Sequence, residues 1–91
     1  MFCYMKSHYV YILQFYKDRS WYIGETADLR TRFKQHQGGE VVSTKQRGSF
    51  RLLFYECFFN KKDAKARERF LKSGFGRQQM KKALQHTLEK D

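Results

Sequence analysis

Ninety-one residues make a single domain, large enough to bury about 60–65% of the surface its unfolded chain exposes. An aromatic share of 18% excludes disorder by composition. The 19 Lys and Arg against 9 Asp and Glu leave net +10, which points to a polyanionic partner, nucleic acid above all. Proline is absent, and no repeat or low-complexity tract divides the chain. Two cysteines and three scattered histidines match no zinc spacing. Cys3 and Cys57 therefore read as free thiols, and the expected location is a reducing cytoplasm. Met1–Ser7 is too short for a secretory core or a membrane span and reads as a loose tail or a small extra strand. Residues 8–88 read as the domain and 89–91 as a short tail.

The first element, His8–Phe15, is β-branched and aromatic, as a strand buried on both faces requires. Tyr9, Tyr11, Leu13 and Phe15 share one side of it, Val10 and Ile12 the other. Lys17–Ser20 reads as the turn and Trp21–Glu25 as the returning strand. A four-residue loop would set Phe15 opposite Tyr22. Tyr11 and Tyr22 would then share a face but stand roughly 13 Å apart along the ladder. Gly24 makes a corner and a helix follows, with Thr26 as N-cap and Asp28 in its first turn. Leu29, Arg32, Phe33 and His36 fall on one face of that helix. An arginine and a histidine at the edge of a packed stripe, just beyond the strand bearing Tyr22, suggest a phosphate site.

Gly38-Gly39 ends the helix. The loop Glu40–Ser49 carries Ser43, Thr44, Lys45 and Arg47, which suits backbone-phosphate contacts and equally suits a solvated surface. Phe50–Phe59 is almost wholly apolar and reads as an internal strand. Asn60 caps a helix over Lys61–Lys72, with Asp63 in a loose capping box. Ala64, Glu68 and Leu71 lie along one stripe of it, so Glu68 serves a site, forms an ion pair with Arg67 or Arg69, or takes a border position. Ser73–Gly76 breaks the chain, and Arg77–Leu88 is a last amphipathic helix. The order β-β-α-β-α-α describes an α+β domain in which helices flank a small three-stranded antiparallel sheet.

Phosphodiester hydrolysis needs a deprotonated water, positive charge for the phosphoryl oxygens, and a cation or proton for the leaving oxygen. Glu68 can hold a divalent ion, Arg32 can grip two phosphate oxygens with its planar fork, and Tyr11, Tyr22 or His36 can carry the proton. A phenol ionises near pH 10 in water, so a nearby cation must favour the phenolate before a tyrosine acts as a base.

These residues resemble the GIY-YIG endonucleases. Tyr9-Val10-Tyr11 is similar to the first half-motif and Tyr22-Ile23-Gly24 repeats the second, eleven residues from Tyr11 to Tyr22. Asp28–Arg32 looks like the family's following helix, with Arg32 at the catalytic arginine. His36 stands where many members carry His or Tyr. Glu68, in Ala66–Lys72, looks like the metal-binding glutamate. The likeness runs from His8 to Leu84 and is strongest to small single-domain bacterial members and to the nuclease module of the excinuclease C subunit. It implies the GIY-YIG fold and an endonuclease acting on DNA, RNA not excluded, with one Mg²⁺ or Mn²⁺ ion at Glu68. Tyr11 would be the general base, His36 its relay, Tyr22 an orienting group and Arg32 the stabiliser of the transition-state phosphate. Lys34, Lys45, Arg47, Lys72 and Arg77 would contact nucleic acid. The protein is expected to be a monomer or weak dimer without a membrane partner, targeted through DNA structure, in repair for instance, or through a protein partner. Tyr9 stands where the family's first half-motif has glycine. Glu25 stands where several members have lysine, and a carboxylate there would raise a nearby tyrosine's pKa. A non-catalytic nucleic-acid-binding module of the same fold is the alternative.

Overall fold

The computed structural model describes residues 6–89. Its elements run β1 (His8–Phe15), β2 (Trp21–Thr26), α1 (Leu29–Gln37), β3 (Phe50–Phe58), α2 (Lys61–Lys72), α3 (Gly74–Ala83) and α4 (Gln85–Leu88). The three strands form one antiparallel sheet in the order β2-β1-β3, so the α+β class holds and β1 is the central strand. Val10, Ile12, Ile23 and Leu53 face α2 and α3, where Ala64, Leu71 and Met80 complete an aliphatic core. On the opposite face Tyr11, Leu13 and Phe15 are buried: His36 of α1 meets the Tyr11 ring, Phe50 of β3 meets Phe15 and Phe33 of α1, and Arg47 of the intervening loop lies over Phe15.

The β1–β2 register differs from the four-residue-loop expectation by two residues. The Phe15 N–H donates to the Ser20 carbonyl at 2.9 Å, and the Arg19 N–H to the Phe15 carbonyl at 2.8 Å. Arg19 takes the left-handed φ of 61°, and the Asp18 carboxylate accepts from the Ser20 N–H and hydroxyl. Tyr16 thus belongs to the loop, and Leu13, not Phe15, lies opposite Tyr22. A two-residue shift keeps every side chain on its face. Tyr11 now faces Gly24, so Tyr22 is offset by two positions, roughly 7 Å of rise.

Four further expectations are corrected. The cap of α1 is Asp28, whose carboxylate accepts from the Thr31 N–H at 3.0 Å and from its hydroxyl at 2.8 Å. Thr26 instead closes a local turn by accepting from the Asp28 N–H. Among the described residues strand β3 is an edge strand, not an internal one. Its apolar residues are covered by helices above and below rather than by strands on both sides, and Tyr55 stays 49% exposed. The last helix starts three residues early, at Gly74, and breaks at Leu84. Ser73 alone forms the corner, because its hydroxyl caps the Gly76 N–H. A Cβ on Gly76 would collide with the Phe70 carbonyl, so α3 can turn back tightly on α2 only at glycine.

Finally, Cys57 is disulfide-bonded and not a free thiol, while Cys3 lies outside the described residues, as do residues 1–5 of the expected tail and residues 90–91. Sequence spacing cannot report which elements a register brings side by side, and the thiol argument for a reducing compartment lapses with it. Among the described residues no helix is long and apolar enough to cross a membrane.

Candidate active site

The site begins with what Gly24 lacks. A Cβ there would lie 2.6 Å from the Tyr11 hydroxyl and 2.7 Å from its ring. The bare backbone lets the Tyr11 phenol lean from the central strand across β2, whose outer edge pairs with no further strand among the described residues. Tyr11 is 1% exposed, and the Tyr22 ring lies 6.3 Å from it.

Helix α1 supplies the next groups. His36, one turn beyond Arg32, is buried with its ring 5.2 Å from Tyr22 and 5.7 Å from Tyr11. Its Nε2 is 2.8 Å from the Tyr11 hydroxyl, and its Nδ1 is 2.8 Å from the Thr44 hydroxyl. Burial, with Arg32 adding to it, pushes the His36 pKa down to about 4, so the imidazole is neutral. Burial likewise pushes Tyr11 up to about 12, against a lowering hydrogen bond from Arg32. Both groups therefore rest uncharged. The phenol donates to Nε2, Nδ1–H donates to Thr44 Oγ1, and the Thr44 hydroxyl points at the Val41 carbonyl 3.4 Å away. The Arg32 guanidinium stands close enough to the Tyr11 oxygen to favour its ionised form, and it donates to Gln35 Oε1 at 3.1 Å. This chain fixes the tautomer of His36 and the direction of the Tyr11 proton.

Glu68 arrives from the other face of the sheet on α2, 14% exposed, and lies near enough for its charge to raise the Tyr11 pKa. The expected alternative partners, Arg67 and Arg69, do not hold it. Lys65 Nζ is 3.6 Å from Oε1 and Lys72 Nζ 3.0 Å from Oε2, at i,i+3 and i,i+4 spacing. Arg67, one residue back and so turned away around the helix, binds Glu56 at 2.8 Å. Glu25 lies on β2, the strand paired beside Tyr11. Its carboxylate is 6% exposed and turned towards α2, where Lys65 Nζ is 3.2 Å away and His8 Nδ1 3.5 Å. A lysine from α2 thus neutralises the carboxylate that stands in the family's lysine position.

Of the basic residues expected at nucleic acid, Lys72 joins the site through Glu68. Lys45 lines a hollow of about 500 Å³ that opens beside His36 and Thr44. Lys34 lines a separate groove with Tyr9, Phe33 and Tyr55. Arg77 sits away from both, in a small basic hollow with Arg19 and Lys81. Arg47 is engaged inside the protein, 4.0 Å above the Phe15 ring and donating to the Ser20 hydroxyl at 2.6 Å. Two contributors escaped the sequence reading. Lys65 was legible in principle from its i,i+3 spacing to Glu68, whereas nothing local marks Thr44 as the partner of His36.

Among the described residues no three His, Cys, Asp or Glu side chains cluster as a ready metal cage. Mg²⁺ and Mn²⁺ do not need one: one or two carboxylates completed by water and substrate phosphate suffice. Glu68 offers such hard oxygens, and both of them already attract cations, so the donor set fits a divalent ion once the lysines yield.

Residues 7–82 match the GIY-YIG catalytic domain. The chain belongs to the GIY-YIG family. It is 42% identical over 66 residues to a UPF0213 protein of Clostridium perfringens, covering 71% of this chain and 70% of the relative. It is 39% identical over 67 residues to the UPF0213 protein YazA of Bacillus subtilis, covering 72% and 67%. The solution NMR structure of a UPF0213 protein from Bacillus halodurans superposes with a TM-score of 0.53 at 40% identity, over 81% of each chain. The GIY-YIG assignment carries the three-stranded α+β fold and places the chain in a nuclease superfamily; the names of these relatives state no activity.

Proposed function

We propose that the protein is a divalent-metal-dependent endonuclease that hydrolyses phosphodiester bonds in DNA. What supports this reading is that Tyr11, Tyr22 and His36, from β1, β2 and α1, stand in ring contact, with Arg32 of α1 and Glu68 of α2 near enough for their charges to act on Tyr11. Arg32 places a permanent, half-buried charge beside the Tyr11 oxygen, where it can bind and stabilise a phosphoryl group. Tyr11 accepts the proton of the attacking water as it passes its own to neutral His36, whose orientation Thr44 fixes. Tyr22, whose ring lies 6.3 Å from that of Tyr11 and 5.2 Å from that of His36, directs the water. A divalent ion on Glu68 would supply positive charge to the phosphate and leaving oxygen and so favour the phenolate.

The test is purified protein on supercoiled, branched and single-stranded DNA with Mn²⁺. Wild type should nick or cut, and an Arg32→Ala/Glu68→Ala double variant should not. Equal cutting by both would assign the activity to a contaminant. Salt-sensitive binding without cutting by the wild type would leave the protein a passive binder of nucleic acid.

A further inference from the structure

Glu68 is the carboxylate on which the nuclease reading depends, and both of its oxygens are occupied by ammonium groups. One of these, Lys65, is shared with the more deeply buried Glu25, at 3.2 Å from one acid and 3.6 Å from the other. The acids are buried and the lysines are not: Lys65 is 46% and Lys72 56% exposed, against 6% for Glu25 and 14% for Glu68. A lysine side chain is flexible and can swing from one anion to another without backbone movement.

The outer side of α2 gives Lys65 somewhere to go. Lys65 also lines a surface hollow with Asn60, Lys61, Lys62 and Arg69, a rim of four cations and no carboxylate among the described residues. A nucleic-acid backbone on that rim presents phosphates to the same ammonium that now rests on Glu25 and Glu68.

We propose that Lys65 and Lys72 are exchangeable counter-ions of Glu68, which nucleic acid draws away to its phosphates, so that the site takes up its divalent ion together with nucleic acid and only weakly without it. The proposal rests on the nuclease reading and adds to it an order of assembly. In the free protein the lysines keep Glu68 oriented and compensated; in the complex they become phosphate contacts and the carboxylate becomes a ligand. Linkage requires the converse too: Mn²⁺ must tighten nucleic-acid binding by the factor that nucleic acid tightens Mn²⁺.

The experiment is Mn²⁺ binding to the full chain, read as free Mn²⁺ by electron paramagnetic resonance. Without nucleic acid, Lys65→Met/Lys72→Met should bind Mn²⁺ about tenfold more tightly than wild type, and a further Glu68→Gln should abolish the gain. A phosphorothioate oligonucleotide should tighten Mn²⁺ binding to wild type by a similar factor over Glu68→Gln with the same oligonucleotide. Should the lysine variant fail to fold, this second arm decides alone. Equal affinity in wild type and lysine variant, or no oligonucleotide effect beyond the Glu68→Gln baseline, overturns the proposal. Wild-type cleavage alongside such a result sinks the exchange and spares the nuclease; absence of wild-type cleavage sinks the nuclease reading instead.

Discussion

The two faces of the sheet are built on different physical terms. Towards α2 and α3 the contacts are aliphatic and non-directional, Val10, Ile12 and Ile23 against Ala64, Leu71 and Met80, and their worth scales with apolar area removed from water. Towards α1 the contacts are aromatic and polar: edge-to-face rings at Tyr11, Tyr22, His36 and Phe50, tied by hydrogen bonds running from Tyr11 through His36 to Thr44. Such contacts fix angles and protonation states as well as closeness. One face mainly makes the fold possible; the other makes a defined chemical arrangement possible. Glu68 crosses this division, carried by the aliphatic side's helix to the polar side's chemistry.

Substitutions on the two faces should therefore separate stability from activity. Arg32→Ala removes the fixed positive charge beside Tyr11 and should lower DNA cleavage by about 10²–10³-fold, with a melting temperature close to wild type. Leu71→Ala should do the reverse. It empties a fully buried site and should cost about 2–5 kcal/mol in denaturant unfolding, while the fraction that stays folded cuts at the wild-type rate. An Arg32 variant that unfolds, or a Leu71 variant that is inactive while folded, would break the contrast.

Gly24→Ala sharpens it. The added methyl meets the Tyr11 hydroxyl and ring, which are packed and not a free side-chain end, so Tyr11 must shift from His36 and Arg32. Cleavage should fall about 10–100-fold, with a stability loss smaller than that of Leu71→Ala. Wild-type activity in this variant would show that the lean of Tyr11 across β2 is dispensable.

The smallest expected effect is on stability against pH. Folding lowers the His36 pKa from its ordinary 6.5 to about 4, so between those values the unfolded chain binds a proton that the folded one refuses. The contribution is fully present above pH 6.5 and is lost as pH falls towards 4, by roughly 1–3 kcal/mol. Denaturant titrations across this range should show the fall in wild type and a flatter profile in His36→Gln; a His36 that titrates near 6.5 in NMR would contradict it.

How much of this was legible in sequence depended on whether the controlling signal was local. The strand and helix periodicities, the Asn60 cap and the start and stop of α2 needed only neighbouring residues. The face shared by Tyr11 and Tyr22 was legible because parity survives a two-residue slip, but the slip itself was hidden in the Arg19 backbone conformation. The edge position of β3 was illegible because an apolar strand reads alike whether its neighbours are strands or helices. The Thr44–His36 bond and the disulfide state of Cys57 depend on how distant segments close on each other. Glu68 was placed on its stripe by helical spacing, yet its lysine partners were passed over for the arginines nearest in sequence.

The central claim is that groups from β1, β2, α1 and α2 meet around one ion-binding point at the edge of the sheet. Paramagnetic broadening by substoichiometric Mn²⁺, in ¹⁵N-labelled protein with a bound phosphorothioate oligonucleotide, tests it most directly. Amide signals of Tyr11, Gly24, Glu25, Arg32 and Glu68 should vanish first and together, and Glu68→Gln should restore them. Broadening centred elsewhere, at Asp63 or Glu89 for example, or unchanged by Glu68→Gln, would contradict the account.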